Sequence, residues 1–473
     1  MTGDEQTQDA IRDDCPVEGA RVLVSRTGLA LWSFLLLTAG LYVGKQLYTG
    51  RPVTVPRPKF FAGSPAGGGP LPTAATREFQ PPPELKTTVR EIEEPSGKAV
   101  LVPFFQALRR TERRQPGAVT RVCHWGDSQI VSDNITTTLR RRLQKRFGDS
   151  GHGFVSVGRP ENYLHSDVKH YAAKAWRFAG VVQPVFGDRM YGLSGIHTYA
   201  RSYGPASTFG TRPTFEVGRR VSRFEVSYLE HREGGRFQLW VDGKLHQTVN
   251  TRRPEGAREA VARVTVPDGD HSLTLRAVGY GTVRLFGAVL ERDEPGVVYD
   301  SLGLKGAQLH DLLRNNPAHF LRQLRWRQPS LLVFGFGTNE SYQSIPMTEY
   351  LPKWKKLFRF VTTALPQTSC LVLGPVDRVY RGRESHPRIP RLTGALRVAA
   401  LSSGCAFWDT FAAMGGAGAA MRWRRAGLVW GDLAHLKPEG GERLGGMIAK
   451  ALVERYQAWL QRARYEEKRR GAR

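Results

Sequence analysis

Cysteine is scarce in this chain. Four occur in 473 residues, at positions 15, 123, 370 and 405. Cys15 precedes an apolar segment, whereas Cys123, Cys370 and Cys405 follow it and each lies in or beside an apolar run. Three thiols on one side of that segment cannot all pair, so buried free cysteine is the expectation. Acidic residues are also short, with 43 Asp and Glu against 69 Lys and Arg, leaving a net charge of +26. Such a balance calls for an acidic partner: nucleic acid, an anionic membrane face or an acidic envelope polymer. The chain has neither zinc-finger spacing nor a compact Lys/Arg block with interleaved aromatics, so nucleic acid is set aside. His124, His152, His165 and His170 lack partners at ligand spacing, and no metal is expected. The glycine-rich MGGAGAA at 414–420 has neither the P-loop lysine nor the dinucleotide pattern. It reads as close backbone packing, and no cofactor is expected. No internal repeat is present.

One uncharged apolar stretch stands out. From Thr27 to Gly44 the chain reads TGLALWSFLLLTAGLYVG, between Arg26 and Lys45. A transmembrane helix needs about 17–25 such residues, so this one is at the short edge. A cleaved signal peptide is the rival reading, but no clean small-x-small site follows. Trp32 and Tyr42 suit the interfacial ends of a span, and Arg21 and Arg26 favour a cytoplasmic N-terminus. We therefore expect a cytoplasmic tail over 1–26 and an uncleaved signal anchor over 27–48. Repeated Pro and Gly over 49–97 describe a linker that holds an exported domain off the membrane. The expected location is the cell envelope, with the part beyond the linker in the periplasm or otherwise outside the cytoplasm.

Beyond the linker two patterns alternate. A helix is expected over 98–114, a strand over 119–125 and a helix over 129–147. Further strands are expected near 297–299, over 331–335, and within SCLVLGPVD and CAFWDT, with helices near 347–363, 389–402 and from Pro438 onward. Strands separated by helices imply a parallel sheet covered on both faces. The stretch 161–296 breaks that rhythm. Phe224, Val226 and Tyr228 alternate, as do Phe237, Leu239 and Val241 before an Asp242-Gly243 turn. This is antiparallel hairpin patterning, so 161–296 reads as an all-β insert between the two parts of an α/β domain, at 98–160 and 297–473. Tyr191, Tyr199 and Tyr203, with several arginines, are its candidate sugar-facing residues.

Open parallel sheets bind ligands at the carboxyl ends of their strands. Four stretches meet that condition. Ser128 follows the first strand in VCHWGDSQIVSD, Gly306 lies in YDSLGLKGAQ, Asn339 in GFGTNES, and Asp432 and His435 in WGDLAHLKPEGG. Ser128 supplies a nucleophile, His435 a base for its proton, and Asp432 a carboxylate to orient the imidazole. The Ser128 and Gly306 backbone N–H groups and the Asn339 amide can receive an oxyanion. A lone Gly-Asp-Ser is more often a cap, and a lone Asp-x-x-His is usually surface. All four after strands, in this order, favour catalysis.

At these residues the sequence resembles the SGNH (GDSL) hydrolase superfamily, with its blocks on Ser128, Gly306, Asn339, and Asp432 with His435. FGDSGHGFVSVGRP, LGLKGAQ, GTNES, FWDTFAAMGG and LAHLKPEGG are similar to one branch, the envelope peptidoglycan O-acetylesterases with an inserted carbohydrate-binding-like β-domain. The resemblance implies a three-layer α/β/α flavodoxin-like hydrolase domain with a parallel sheet, interrupted by a jelly-roll-like insert. It implies a serine acetylesterase that removes O-acetyl groups from a wall glycan without a cofactor. Two alternatives stand beside it. One is an O-acetyltransferase that uses the same triad to pass the acyl group to a sugar hydroxyl. The other is a wall-glycan-binding protein without turnover, in which the α/β part scaffolds and the β-part binds, a reading the intact triad argues against. Two departures stand against the pattern. Gln129 follows Ser128 where Leu or His is usual, which implies altered acyl or leaving-group preference, and Glu340 replaces an Asp.

Overall fold

Five strands alternate with helices along the chain: β1 (Val119–Gly126), β2 (Gly296–Gly303), β3 (Leu331–Gly335), β4 (Ser369–Leu373) and β5 (Ala406–Trp408). In the computed structural model, which describes residues 91–471 except 162, 202, 213–216, 381 and 383, they form one parallel sheet in the order 2-1-3-4-5. Side chains one residue apart on a strand point to opposite faces, and each face here is apolar. Leu331 and Val333 pack with α1 (Val102–Glu112), α3 (Asn134–Phe147) and α7 (Pro438–Gly471) through Phe104, Leu139 and Leu452. Leu332 and Phe334 pack on the other side with α4 (Pro317–Arg327), α5 (Met347–Ala364) and α6 (Arg388–Leu401) through Phe320, Trp354 and Leu396. The molecule is mixed α/β with a parallel sheet, as expected.

Between β1 and β2 the chain builds two antiparallel sheets. One contains 258–269, 221–230, 283–291, 196–200 and 177–180, with 151–155 also paired to 283–291. The other runs 169–172, 206–210, 272–278, 236–241 and 244–250. Phe224, Leu285, Phe237 and Leu273 from the two sheets share one core. The Asp242-Gly243 turn has φ of 49° and 77°, the left-handed pair that a tight hairpin requires. The described residues all belong to one compact unit.

Three expectations need correction. The helix foreseen over 129–147 is broken into α2 (Ser128–Val131) and α3. Asp133 lies between them at φ 60°, and its buried carboxylate accepts from Arg140 at 2.7 Å, the Ser166 amide at 2.8 Å and Thr136 at 2.5 Å. That carboxylate cannot meet these partners from the middle of a continuous helix. Cys370 and Cys405 are not free thiols but a disulfide, with Cα atoms 4.6 Å apart. Leu371 pairs with Ala406 in the sheet, so the preceding residues fall side by side. Cys123 is free and buried, as expected. Tyr191 and Tyr199 are buried in the core, where they cannot meet a glycan, while Tyr203 is exposed.

Among the described residues no helix is long and apolar enough to cross a membrane. The expected tail over 1–26, the anchor over 27–48 and the linker as far as 90 lie outside the described residues. At the linker's end, Glu93 exchanges backbone hydrogen bonds with Phe407 on the edge strand β5, and Glu94 pairs with Arg455 of α7.

Candidate active site

The site begins where three strands stop at one level. Gly126 of β1 pairs with Gly303 of β2 and with Gly335 of β3. Their following loops carry Ser128, Gly306 and Asn339 from the same sheet edge. Glycine is required at Gly126 because a Cβ there would meet Ile130 Cγ1 at 2.2 Å and the Gly335 carbonyl at 2.8 Å. The chain turns at Asp127, which caps α2 by accepting from Gln129 N at 3.0 Å. Its second oxygen accepts from Thr338 N at 3.3 Å, which ties the serine turn to the loop bearing Asn339. Burial raises the Asp127 carboxyl above its ordinary value, against these amides.

Ser128 then faces His435. Ser128 Oγ and His435 Nε2 are 2.8 Å apart, and His435 Nδ1 lies 2.6 Å from Asp432 Oδ2. This geometry suits proton removal from the hydroxyl by an imidazole that a carboxylate orients. The Asp432 carboxylate also shapes its own loop, since its Oδ1 accepts from the Ala434 and His435 amides at 3.1 and 3.0 Å. Partial burial works against its charge, but these amides and the His435 ring hold its carboxyl below the ordinary value. The same loop contains Leu433 at φ 57°, a left-handed conformation uncommon for a bulky residue. The His435 and Asp432 side chains are 40% and 50% exposed, so water reaches them.

The other two expected site residues meet each other. Asn339 Nδ2 donates to the carbonyl of Ala307, the residue after Gly306, at 2.8 Å. An amide nitrogen has two N–H groups, so one remains for another acceptor. Gly306 has φ 73° and nothing within 4 Å of where a Cβ would stand. Beneath them Glu340 is fully buried, accepting from Leu309 N at 2.8 Å. Burial pushes its carboxyl up to about 8.

A cavity of about 1130 Å³ opens over Ser128, Asp432 and His435. Gly306 and Asn339 do not line it, although Lys305 does. Its far wall comes from the β-rich part: Arg159, Tyr163, Lys174, Trp176 and Phe178. Trp430, half exposed, stands beside the histidine loop. Sequence reasoning missed these wall residues, because nothing in a β-pattern says which strand end faces a distant serine. Gln129, visible in the sequence only as a departure from the usual motif, reaches its side chain across to residues 434 and 436, contacts the sequence did not reveal.

No family model matches the chain, and no curated protein matches it. Solved structures do. A structure of a peptidoglycan O-acetylesterase in action is 23% identical, with a TM-score of 0.65, over 77% of this chain and 99% of that one. A family two carbohydrate esterase from Clostridium thermocellum in complex with cellohexaose is 10% identical, with a TM-score of 0.27, over 60% of this chain and 99% of that one. A salicylyl-acyltransferase from a tetracycline biosynthetic pathway is 14% identical, with a TM-score of 0.28, over 60% and 98%. The first of these likenesses shows the fold. This chain shares its mixed α/β architecture with an esterase, in accord with the SGNH resemblance of the sequence.

Proposed function

We propose that this chain is a serine esterase that removes O-acetyl groups from a cell-envelope glycan, with peptidoglycan as the substrate. The observation that carries this reading is the hydrogen-bonded series Ser128–His435–Asp432 at the carboxyl edge of the parallel sheet. His435 Nε2 takes the Ser128 proton as Oγ attacks the acetyl carbonyl carbon. The carbonyl π-electrons move to oxygen, where the Ser128 and Gly306 amides and the free Asn339 N–H receive the charge. Collapse breaks the bond to the sugar oxygen, which leaves with the proton from His435. Water, deprotonated by the same imidazole, then attacks acetyl-Ser128. The bond between the acyl carbon and Oγ breaks, His435 returns the proton to Oγ, and acetate is released. The partly exposed triad admits that water.

The shared fold of the peptidoglycan O-acetylesterase supports a wall glycan as substrate, and the net charge of +26 suits a carboxylate-bearing polymer. In this reading a flavodoxin-like hydrolase domain, 98–160 and 297–473, carries a jelly-roll-like glycan-binding insert over 161–296, with the strand 151–155 at the end of the first part joining a sheet of the insert. The segment 27–48 anchors it to the membrane, with 49–97 as the linker. Fractionation of the full chain into membranes, or its release in soluble form, tests the anchor.

The decisive experiment measures acetate released from O-acetylated peptidoglycan and from a small acetyl ester, with and without a sugar acceptor. Ser128→Ala should lower both rates by about 10³-fold or more while the protein stays folded. Wild-type turnover in that variant would remove Ser128 as nucleophile. Acetyl transfer to the acceptor in place of acetate release would make the chain a transferase.

A further inference from the structure

We propose that Gln129 is a positioning residue that fixes His435 against Ser128, an inference that rests on the esterase reading and extends it. Gln129 is the second residue of α2, directly after Ser128, and its side chain is buried. Its Nε2 donates to the Ala434 carbonyl at 2.8 Å, and its Oε1 accepts from the Leu436 amide at 3.3 Å. One side chain therefore grips the backbone on both sides of His435. Both polar atoms are engaged there, so Gln129 acts on the histidine loop; it also lines the cavity over Ser128, where the expected effect on acyl or leaving-group preference would arise.

The need for such a grip follows from where Asp432 sits. It is three residues before His435 on the same loop, and it bonds the imidazole and two of that loop's own amides. Those bonds orient the ring within the loop. They do not set the distance from the loop to Ser128, because Asp432 travels with His435. The loop's other ties lead elsewhere: Trp430 N to the His435 carbonyl at 2.9 Å, Lys437 N to the Leu428 carbonyl at 2.9 Å, and Val379 N to the Leu433 carbonyl at 3.1 Å. Gln129 starts from the turn that holds the nucleophile and ends on the loop that holds the base. It thereby links the two halves of the Ser128–His435 pair through a short, buried path.

A displacement of about 1 Å between reacting groups is enough to cost about 10²-fold in rate. Gln129→Met keeps the length and volume of the side chain and removes both hydrogen bonds. With a small acetyl ester its kcat should fall by about 10–10²-fold while KM stays within about twofold. Labelling of Ser128 by a fluorophosphonate probe should slow by the same factor, because that reaction also needs His435 to accept the hydroxyl proton. A residue acting through His435 has nothing left to act on once the imidazole is gone. In a His435→Ala background, Gln129→Met should therefore cause no further loss of the residual activity. An unchanged kcat, a change in KM alone, or an equal fold loss in the His435→Ala background would each overturn the inference. If Gln129→Met does not fold, the isosteric Gln129→Glu serves. It loses the donor to Ala434 and must show the same loss of kcat, and the same absence of effect without His435. Ser128→Ala measured in parallel separates the two levels: activity there sinks the esterase reading itself. An inactive Ser128→Ala beside a fully active Gln129→Met sinks the Gln129 inference alone.

Discussion

Asn339 and Ala307 come from different loops, yet the Asn339 amide spends one N–H on the Ala307 carbonyl. That bond orients the amide plane before any substrate arrives, so the second N–H points in a set direction at no reorganisation cost during reaction. Asn339→Ala should therefore lower kcat by about 10²–10³-fold with little change in KM. Steady-state kinetics on a small ester check this; a rise in KM alone would make Asn339 a substrate-binding or turn residue. Residues of this kind were legible because each stands at a fixed offset within its own motif. His435 and Asp432 are three apart in sequence, and their bond needs little more than that loop. Gln129 was legible only as an oddity. Its meaning depends on residues 434 and 436 arriving beside it, and no local pattern encodes that approach. Tyr191 and Tyr199 failed for a related reason: an aromatic ring in a strand fits a core as well as it fits a sugar, and packing decides.

Elements were easiest to read where their period was uninterrupted. β3 and β4 were foreseen because their runs of four apolar residues can be buried on both faces. The break between α2 and α3 was hidden, since its cause is the distant Arg140–Asp133–Ser166 set. The Cys370–Cys405 bridge was hidden as well, because it follows from the register of β4 and β5 and not from spacing along the chain. Loop-to-loop bracing carries its own signature in pH. Glu340, from the turn after β3, holds the Leu309 amide just beyond the Gly306 loop, and burial raises its carboxyl to about 8. The folded protein keeps this proton up to about 8, whereas the unfolded chain releases it in the ordinary glutamate range. Between those two points the folded state binds more protons, so this contribution to stability is complete below the lower one and is lost as pH rises through about 8. Glu340→Gln cannot ionise and can still accept from Leu309. Its melting temperature should fall less than wild type across that window, and parallel curves for the two proteins would count against a buried neutral Glu340.

At the scale of the whole molecule, the β-rich part and the parallel sheet are not separable bodies. Tyr191, Leu193 and Val289 pack in the same core as Trp125 and Phe334, and Trp125 donates to the Leu193 carbonyl at 2.9 Å. Deleting 161–296 would expose that core, so the role of this part is better tested at its surface. The place to test is the cleft wall, where Arg159 and Lys174 are exposed on the β-rich side across from Ser128 and His435. Phe178, partly exposed, lies near them with an apolar face of the kind on which sugar rings stack, while Trp176 is buried in the core. A polymer bearing carboxylates would meet these cations, whereas a small neutral ester reaches Ser128 without them. Arg159→Ala with Lys174→Ala should therefore raise KM for O-acetylated peptidoglycan by about 3–10-fold and leave turnover of the small ester near wild type, since exposed charges act mainly on association. The defect should also shrink as salt is added, because added ions screen the wild-type attraction that the variant has already lost. Equal losses on both substrates would mean that this wall shapes the catalytic pocket itself. An unchanged KM on the polymer would mean that the glycan approaches the serine from another side.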